Sequence, residues 1–314
     1  MAVLLLLAAC ILALSAGPDG WDGAVFLLPE YLAGTDTEGP SWLLWEIRLP
    51  RVMMAAGIGA VLSISGLVFQ TILGNPLAEP YILGISGGAA AGVVLGILWG
   101  VSLFWGDIFA FAGGMISLLA LFLLGGRRGA SSLLLAGVMI NAFCGAVVLF
   151  LVSLLQHHNM GTVLCWYLGD LGAAGREQAF CWSGIFLSGC LGLCLCGHKL
   201  NLLLLGENTA KTLGLRVEIF IPAVLAAVSA LVCAAVAAAG PLGFVGLVVP
   251  QIMRKVLGHD HRVLLPACML GGAFFLVACD MFSRTLPSQG ELPIGVITAM
   301  IGAPVFIALL RRSA

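Results

Sequence analysis

Charged residues are scarce in this chain: Asp, Glu, Lys and Arg together make up only 9% of its 314 residues. Soluble proteins carry about 25%. Hydrophobic residues account for 61%, and the mean hydropathy is +1.12. A soluble domain of this size could not bury so much apolar surface, because much of any folded chain stays exposed. A soluble fold is therefore excluded, and lipid is the predicted solvent. The net charge of −1 gives no basis for binding nucleic acid.

Catalytic motifs are also missing. A phosphate-binding loop requires the pattern G-x-x-x-x-G-K-[ST]. The stretch LGENTAKT ends like such a loop, but it has Leu205 and Ala210 where the glycines are needed. No HExxH, GxSxG or clustered pair of carboxylates is present. The sequence therefore predicts no catalytic residues and no fused nucleotide-binding domain.

Metal-ligand patterns are weak. The ten cysteines lie mostly within apolar runs and never form CxxC, so they are interpreted as small buried hydrophobes. His157 and His158 are adjacent in a predicted outer loop and could bind haem iron or a metal. Adjacent loop histidines are more often simply solvated, so no metal site is predicted.

Long apolar runs dominate what is present, and a bilayer crossing needs about 20 residues. Segment 161–175 is too short and polar to cross, and we expect a partial helix at the membrane surface there. The chain is predicted to be one all-α polytopic membrane domain over residues 1–314 with about ten transmembrane helices. The candidate spans are about 2–17, 50–71, 82–103, 106–125, 132–155, 178–197, 218–239, 244–257, 263–282 and 293–310.

Loop charges set the orientation. Cytoplasmic loops carry an excess of Lys and Arg. If both termini are cytoplasmic, ten of the 14 basic residues lie inside, so this orientation is favoured. The inner residues are Arg127, Arg128, Lys199, Lys211, Arg216, Arg254, Lys255, Arg262, Arg311 and Arg312.

The N-terminus, MAVLLLLAACILALSAG, resembles a signal peptide with a lipoprotein cleavage box at Cys10. No Lys or Arg precedes its apolar run, however, and a signal peptide needs a positive n-region. We therefore expect an uncleaved first span.

Two segments break the helical pattern. In GNPLAEPYILG (74–84), two X-Pro pairs interrupt the helix, which predicts a structured turn at the cytoplasmic end of the second span. Its Asn75 and Glu79 lie near membrane depth, where polar groups often mark a pathway or a partner. The second break is at Gly240-Pro241. Near the outer end of the ninth span, Asp280 and Arg284 are spaced to form an ion pair on one helix face. A docking role for Arg284 is the alternative.

Glycines recur every four residues along the third span, which places them on one helix face. Such a stripe lets another helix approach closely, either within one subunit or at a subunit interface. The glycines are Gly84, Gly88, Gly92, Gly96 and Gly100.

The polar island LGENTAKTLGL (205–215) predicts a helix of about two turns in a cytoplasmic loop. Glu207 and Lys211 are spaced as a favourable i,i+4 pair, and Gly214 is placed to end the helix. So short a helix is unstable alone, so it must pack on its own spans or on a partner protein.

Five long stretches, in order over nearly the whole chain, resemble the FecCD-type membrane permease of ABC importers for iron–siderophores, haem and cobalamin. One position departs from the family: Gln251 stands where His is usual. The stretches are RLPRVMMAAGIGAVLSISGLVFQTILGNPLAEPYILGISGGAAAG (48–92), LLLAGVMINAFCGA (133–146), LNLLLLGENTAKTLGL (200–215), GPLGFVGLVVPQIMR (240–254) and ELPIGVITAMIGAPVFIALLRR (291–312).

The resemblance implies a type II ABC importer permease fold in the bacterial inner membrane. Two permeases, identical or homologous, would form a dimer around a central pathway. A separate cytoplasmic ATPase dimer would bind ATP and Mg, and this chain would hold no cofactor. A periplasmic or lipid-anchored binding protein would deliver the substrate.

The same resemblance implies three sets of site residues. Arg48, Arg51 and Arg284 would dock the binding protein, and Asn75, Pro76, Leu77 and Ser131 would form the cytoplasmic gate. The ATPase would dock on the loop of about 199–218, through Glu207, Asn208, Thr209, Ala210, Lys211, Thr212, Leu213, Gly214 and Leu215.

We therefore predict the permease subunit of an ATP-driven importer that moves an iron–siderophore, haem or cobalamin across the inner membrane. An ion-coupled secondary transporter of a small organic solute is the alternative. It needs titratable groups near mid-membrane, whereas Asp280 is predicted near a membrane end and Glu79 in a loop. An intramembrane enzyme would need a catalytic pair at one depth, and the sequence offers none.

Overall fold

Helices make up nearly all of the described chain. A computed structural model describes residues 2–17, 20–21, 40–80, 84–101, 103–125, 130–155, 157–172, 175–286 and 290–311. A π-helical turn, Leu44–Arg48, joins α2 to α3, and β1 (Ala16–Gly17) pairs antiparallel with β2 (Gly20–Trp21). The helices are α1 (Ala2–Ser15), α2 (Pro40–Leu43), α3 (Leu49–Ile72), α4 (Ile85–Leu98), α5 (Leu103–Gly125), α6 (Ala130–Ser153), α7 (His157–Leu168), α8 (Arg176–Cys194), α9 (Gly197–Leu204), α10 (Glu207–Thr212), α11 (Val217–Ala239), α12 (Val245–Leu257), α13 (His261–Thr285) and α14 (Ile294–Arg311).

Each of the ten predicted spans overlaps one of these helices, and α7 overlaps the first half of segment 161–175, where the sequence predicts a partial helix. Within the described residues, five helices are long and apolar enough to cross a membrane: α3 with its π-helical turn, α5, α6, α11 and α13. Helices α8 and α9, bent by 49°, make a sixth if they count as one span. The all-α polytopic architecture is as predicted. Ten crossings stays a prediction, because α1, α4, α12 and α14 are shorter.

Contacts between helix ends define the two ends of the bundle. At the outer end, α1 finishes beside two arginines from other helices. Arg48 Nη1 donates to Leu14 O at 3.0 Å, and Arg284 Nη2 donates to Ala13 O at 3.2 Å. Both guanidinium groups therefore bind carbonyls at the C-terminus of α1, where the helix dipole favours positive charge.

At the inner end, α3 finishes where α13 begins, and Thr71 Oγ1 lies 2.7 Å from His261 Nε2. Near the same end, Lys255 Nζ donates to Leu309 O of α14 at 2.9 Å. The end of α14 and the start of α1 therefore lie at the same end of the bundle. This agrees with the predicted placement of both termini on one side.

Helix α3 lies at the centre and packs against α8, α11, α12 and α13. Glycines make its closest approaches possible. A Cβ on Gly59 would overlap the carbonyl oxygen of Gly272 in α13, and a Cβ on Gly66 would overlap that of Gly246 in α12. Backbone therefore meets backbone at both crossings, which is a common way to pack helices tightly in lipid.

Four of the five glycines in the predicted stripe pack within the same chain, whereas a Cβ on Gly100 would meet nothing within 4 Å. A Cβ on Gly88 would overlap Ser117 Oγ of α5, and one on Gly92 would overlap the Phe109 carbonyl of α5. Gly96 also faces Phe109, and Gly84 packs against Ile140 of α6 with a φ of +84°. The stripe thus brings α4 against α5 and α6, which is the internal alternative stated above.

The Gly66–Gly246 crossing leads to a stability prediction. Gly66→Ala should lower the free energy of unfolding by about 1–3 kcal/mol, because the added methyl pushes α3 away from α12. The measurement is thermal unfolding in detergent. A thiol-reactive dye detects the unfolding, because it reacts with the buried cysteines as they become exposed. Gly184→Ala in α8 is the control, since its Cβ meets nothing within 4 Å. Equal melting midpoints for the two variants would contradict this packing.

Candidate functional site

The polar island between α9 and α11 folds as predicted into a short helix, α10. A Schellman motif ends it: Gly214 N donates to Lys211 O, and Leu215 N donates to Ala210 O, both at 3.0 Å. Gly214 has a φ of +90°, the left-handed conformation that glycine adopts readily. The expected glycine stop is therefore confirmed, with helical residues Glu207–Thr212.

One contact of α10 differs from expectation. Lys211 Nζ lies 2.6 Å from Glu218 Oε1 in α11, in place of the predicted pair with Glu207. The turn after Gly214 returns the chain so that the first residues of α11 lie beside Lys211, and this tertiary contact outcompetes the local one. The hydrogen bond to Glu218 raises the pKa of the Lys211 ammonium. The pair ties α10 to α11.

Most of α10 faces outward. Ala210 is fully buried and anchors the helix, whereas the other five residues of α10 are exposed. Three leucines beside it, Leu204, Leu205 and Leu213, are each more than half exposed. Exposed apolar side chains beside a polar helix are typical of a surface that contacts another protein or the membrane.

The predicted gate turn between α3 and α4 is preformed. Asn75 Oδ1 accepts a hydrogen bond from Leu77 N at 2.9 Å, and Ala78 N donates to Asn75 O at 3.1 Å. The Asn75 side chain therefore shapes its own turn, while Leu77 projects with 46% of its surface exposed. Ser131 is the second residue of α6, and its side chain lies outside the described residues, as do those of His157 and His158.

Two of the outer arginines, Arg51 and Arg284, belong to an ion network centred on a buried carboxylate. Arg51 Nε donates to Asp280 Oδ1 at 2.7 Å, and Arg51 Nη1 donates to Glu291 Oε2 at 2.6 Å. Arg284 Nη2 lies 2.9 Å from Asp280 Oδ2, as an ion pair whose angles fall outside hydrogen-bond geometry. The expected Asp280–Arg284 pair is confirmed, and one fully buried carboxylate lies between two guanidinium groups.

This burial bears on the docking role of the three arginines, which stays a prediction. Arg48, Arg51 and Arg284 are only 4%, 8% and 4% exposed. A cavity of about 160 Å³ lies beside Arg51, and Asp170 and Glu291 line it. Glu291, whose side chain is 44% exposed, already binds Arg51 Nη1, so a carboxylate of a partner protein would compete with it there. Sequence reasoning missed Glu291, because 240 positions separate it from Arg51.

The model of the FecCD transport family matches residues 5–312. The chain belongs to the FecCD transport family. It is 40% identical over 288 residues to the uncharacterized ABC transporter permease protein YvrB of Bacillus subtilis, covering 89% of this chain and 81% of that protein.

Two further relatives are named after the substrates that they transport. The vitamin B12 import system permease protein BtuC of Klebsiella pneumoniae is 40% identical over 274 residues, covering 86% of this chain and 82% of BtuC. The hemin transport system permease protein HmuU of Yersinia pestis is 38% identical over 299 residues, covering 92% of this chain and 90% of HmuU.

Solved structures agree on the fold. A metal-chelate type ABC transporter in an inward-facing conformation has a TM-score of 0.89 at 30% identity, covering 99% of this chain and 97% of that one. PsaBC from Streptococcus pneumoniae, in complex with a Fab, has a TM-score of 0.58 at 15% identity, covering 90% of this chain and 95% of that one. The second likeness shows the fold alone.

The chain is therefore an inner-membrane permease subunit with the type II ABC importer fold. Members of this family work with an ATPase and a substrate-binding protein. The comparisons do not favour the ion-coupled secondary transporter.

The outer network leads to a second stability prediction. Asp280→Asn should lower the free energy of unfolding by about 3–5 kcal/mol, because it leaves two buried guanidinium groups without their shared counter-charge. The matched control is Glu46→Gln, which removes one member of the partly exposed Arg176–Glu46 pair and should cost at most about 1 kcal/mol. Thermal unfolding in detergent compares the two. A melting midpoint for Asp280→Asn within the range of the control would contradict this account.

Proposed function

We propose that this chain moves a bulky metal chelate across the inner membrane while a separate partner ATPase binds ATP and Mg and hydrolyses the ATP. The observation that carries this proposal is α10. It is an exposed, anchored helix with apolar neighbours, in a chain whose only P-loop-like stretch lacks both required glycines. A helix of this kind is suited to receive another protein.

The ATPase dimer is proposed to dock on α10 and the turn that follows it, Glu207–Leu215. When ATP closes the ATPase dimer, its surface pushes on α10. Ala210 and the Lys211–Glu218 pair hold α10 to the bundle, so the push is passed to α11. This chain then forms the pathway and changes conformation, while ATP hydrolysis by the ATPase supplies the free energy.

The substrate-binding protein is proposed to dock at the outer end, around Arg48, Arg51 and Arg284. Glu291 is the exposed member of that network, so an incoming carboxylate would compete with Glu291 for Arg51. At the inner end, the turn with Asn75, Pro76 and Leu77 would act with Ser131 as the cytoplasmic gate. Two permeases, identical or homologous, would enclose the pathway.

The proposed cargo class is cobalamin, haem or a ferric siderophore. The named relatives import vitamin B12 and hemin, and the similar solved structure is of a metal-chelate type. The test is ATP hydrolysis by the reconstituted complex of permease, cognate ATPase and binding protein, measured with cyanocobalamin, haemin and a set of ferric siderophores. Stimulation by one of them supports the proposal. Stimulation by none, with transport driven by a proton gradient without ATP, would contradict it.

The docking role of α10 has its own test. Leu213→Glu should reduce co-purification of the tagged partner ATPase at least about tenfold, because it places a charge in the apolar part of the interface. Leu286→Glu is the control: it is the same substitution at a similarly exposed leucine of the outer end. We expect it to leave ATPase association unchanged. Full association of the Leu213→Glu variant would show that the ATPase docks elsewhere.

A further inference from the structure

The chain segment from Gln70 to Pro80 is bound at three positions to α12 and to the residue that precedes it. Gln70 contacts Arg254 and Gly246, Pro76 contacts Gln251, and Glu79 contacts Phe244. We call these contacts of Gln70, Pro76 and Glu79 the α12 clasp. It includes both ends of the predicted gate turn.

The first contact of the clasp is at the end of α3. Arg254 Nη1 donates to Gln70 Oε1 at 2.6 Å, and Gln70 Nε2 donates to Gly246 O at 3.1 Å. Both halves of the Gln70 carboxamide are therefore bound by α12. This fixes the point at which the turn leaves α3.

The last contact is buried and lies at the start of α12. Glu79 Oε1 accepts a hydrogen bond from Phe244 N at 2.6 Å. Phe244 directly precedes α12, and its φ of +69° is the only positive φ of a non-glycine residue in the described chain. A carboxylate from another segment thus caps the N-terminus of α12, where the helix dipole favours negative charge. The cap holds a residue in an otherwise unfavourable conformation.

The middle contact is the exposed one. Gln251 Nε2 donates to Pro76 O at 3.0 Å, within the gate turn and one residue before Leu77. Pro76 lies outside any helix, and this is the one contact recorded for its carbonyl in the described chain. Water competes for an exposed hydrogen bond, so this contact can open while the buried contacts at Gln70 and Glu79 hold.

We propose that the α12 clasp makes the 74–80 turn move with α12 as one body, and that Gln251 is a positioning residue which holds Leu77 in place at the cytoplasmic gate. The inference rests on the proposed gate role of this turn. Helix α11 is tied to α10 through Lys211 and Glu218, and it packs against α3, which in turn packs against α12. The clasp therefore completes a connection from the proposed ATPase-docking helix to the gate turn.

The test measures the accessibility of position 77. Leu77→Cys is introduced into the full chain in inside-out vesicles, and its labelling rate by a membrane-impermeant maleimide is measured. The chain without this change gives the background from the ten native cysteines. Gln251→Glu keeps the size of the side chain but removes the donor, so labelling should be about three- to tenfold faster. Gln251→His keeps an N–H donor, and labelling should stay within about twofold of the parent.

Gln178→Glu is the matched control. Gln178 Nε2 donates to Asp107 Oδ2 at 2.6 Å, so the same substitution removes a glutamine donor from a contact between two helices away from the gate. Labelling of the introduced cysteine should not change. The clasp is overturned if Gln251→Glu labels at the parent rate, or if Gln178→Glu accelerates labelling as much as Gln251→Glu does.

A second measurement separates the clasp from the gate role. Once the cysteine introduced by Leu77→Cys is labelled, uptake of cyanocobalamin and haemin by the reconstituted complex should be blocked if the turn is the gate. Undiminished uptake after complete labelling would overturn the gate role and with it the assigned task of Gln251. The labelling rates would in that case still report whether the clasp holds the turn.

Discussion

Close contact between α3 and its neighbours is the constraint on which the rest of the structure depends. In lipid, the hydrophobic effect does not drive helices together, so close packing and internal hydrogen bonds must hold them. Gly59 meets Gly272 of α13, and Gly66 meets Gly246 of α12, with backbone against backbone at both crossings. A side chain at either α3 glycine would separate the helices and lengthen the polar contacts at both ends of α3.

Those polar contacts determine which parts of the molecule can move. At the outer end Arg51 binds Asp280, and at the inner end Gln70 binds Gly246 and Arg254, with these side chains wholly or partly buried. Opening these contacts would leave buried polar groups without hydrogen-bond partners, at a high cost in free energy. The pairs Lys211–Glu218 and Gln251–Pro76 are exposed, and water can replace either partner. Helices α3, α12 and α13 are therefore expected to move together. When an exposed contact opens, the buried Ala210 and the Glu79–Phe244 hydrogen bond still keep α10 and the 74–80 turn attached to them.

The features that could be predicted from the sequence are those fixed by local spacing. Helix positions follow from apolar runs, the Asp280–Arg284 pair from its i,i+4 spacing, and the end of α10 from Gly214. Contacts between distant residues could not be predicted. Glu218 replaces Glu207 as the partner of Lys211, Glu291 joins Arg51, and Arg48 binds a carbonyl of α1. Loop charges place the arginines on the outer side, but charge counting carries no information about burial, so three arginines predicted as docking residues prove to be buried.

The GENTAKT stretch resembles the end of a phosphate-binding loop but forms a short helix held by other contacts. Without glycines at positions 205 and 210, the loop cannot wrap a phosphate, and Ala210 instead packs into the bundle. Lys211 is then available to bind Glu218 at the start of α11. A six-residue helix has little stability of its own, so its position is set by these anchors and by the Schellman turn. These anchors are what would pass the motion of a partner docked on α10 to the rest of the chain, as proposed. Residues that could not bind ATP thus form the surface on which we propose that a separate ATPase docks.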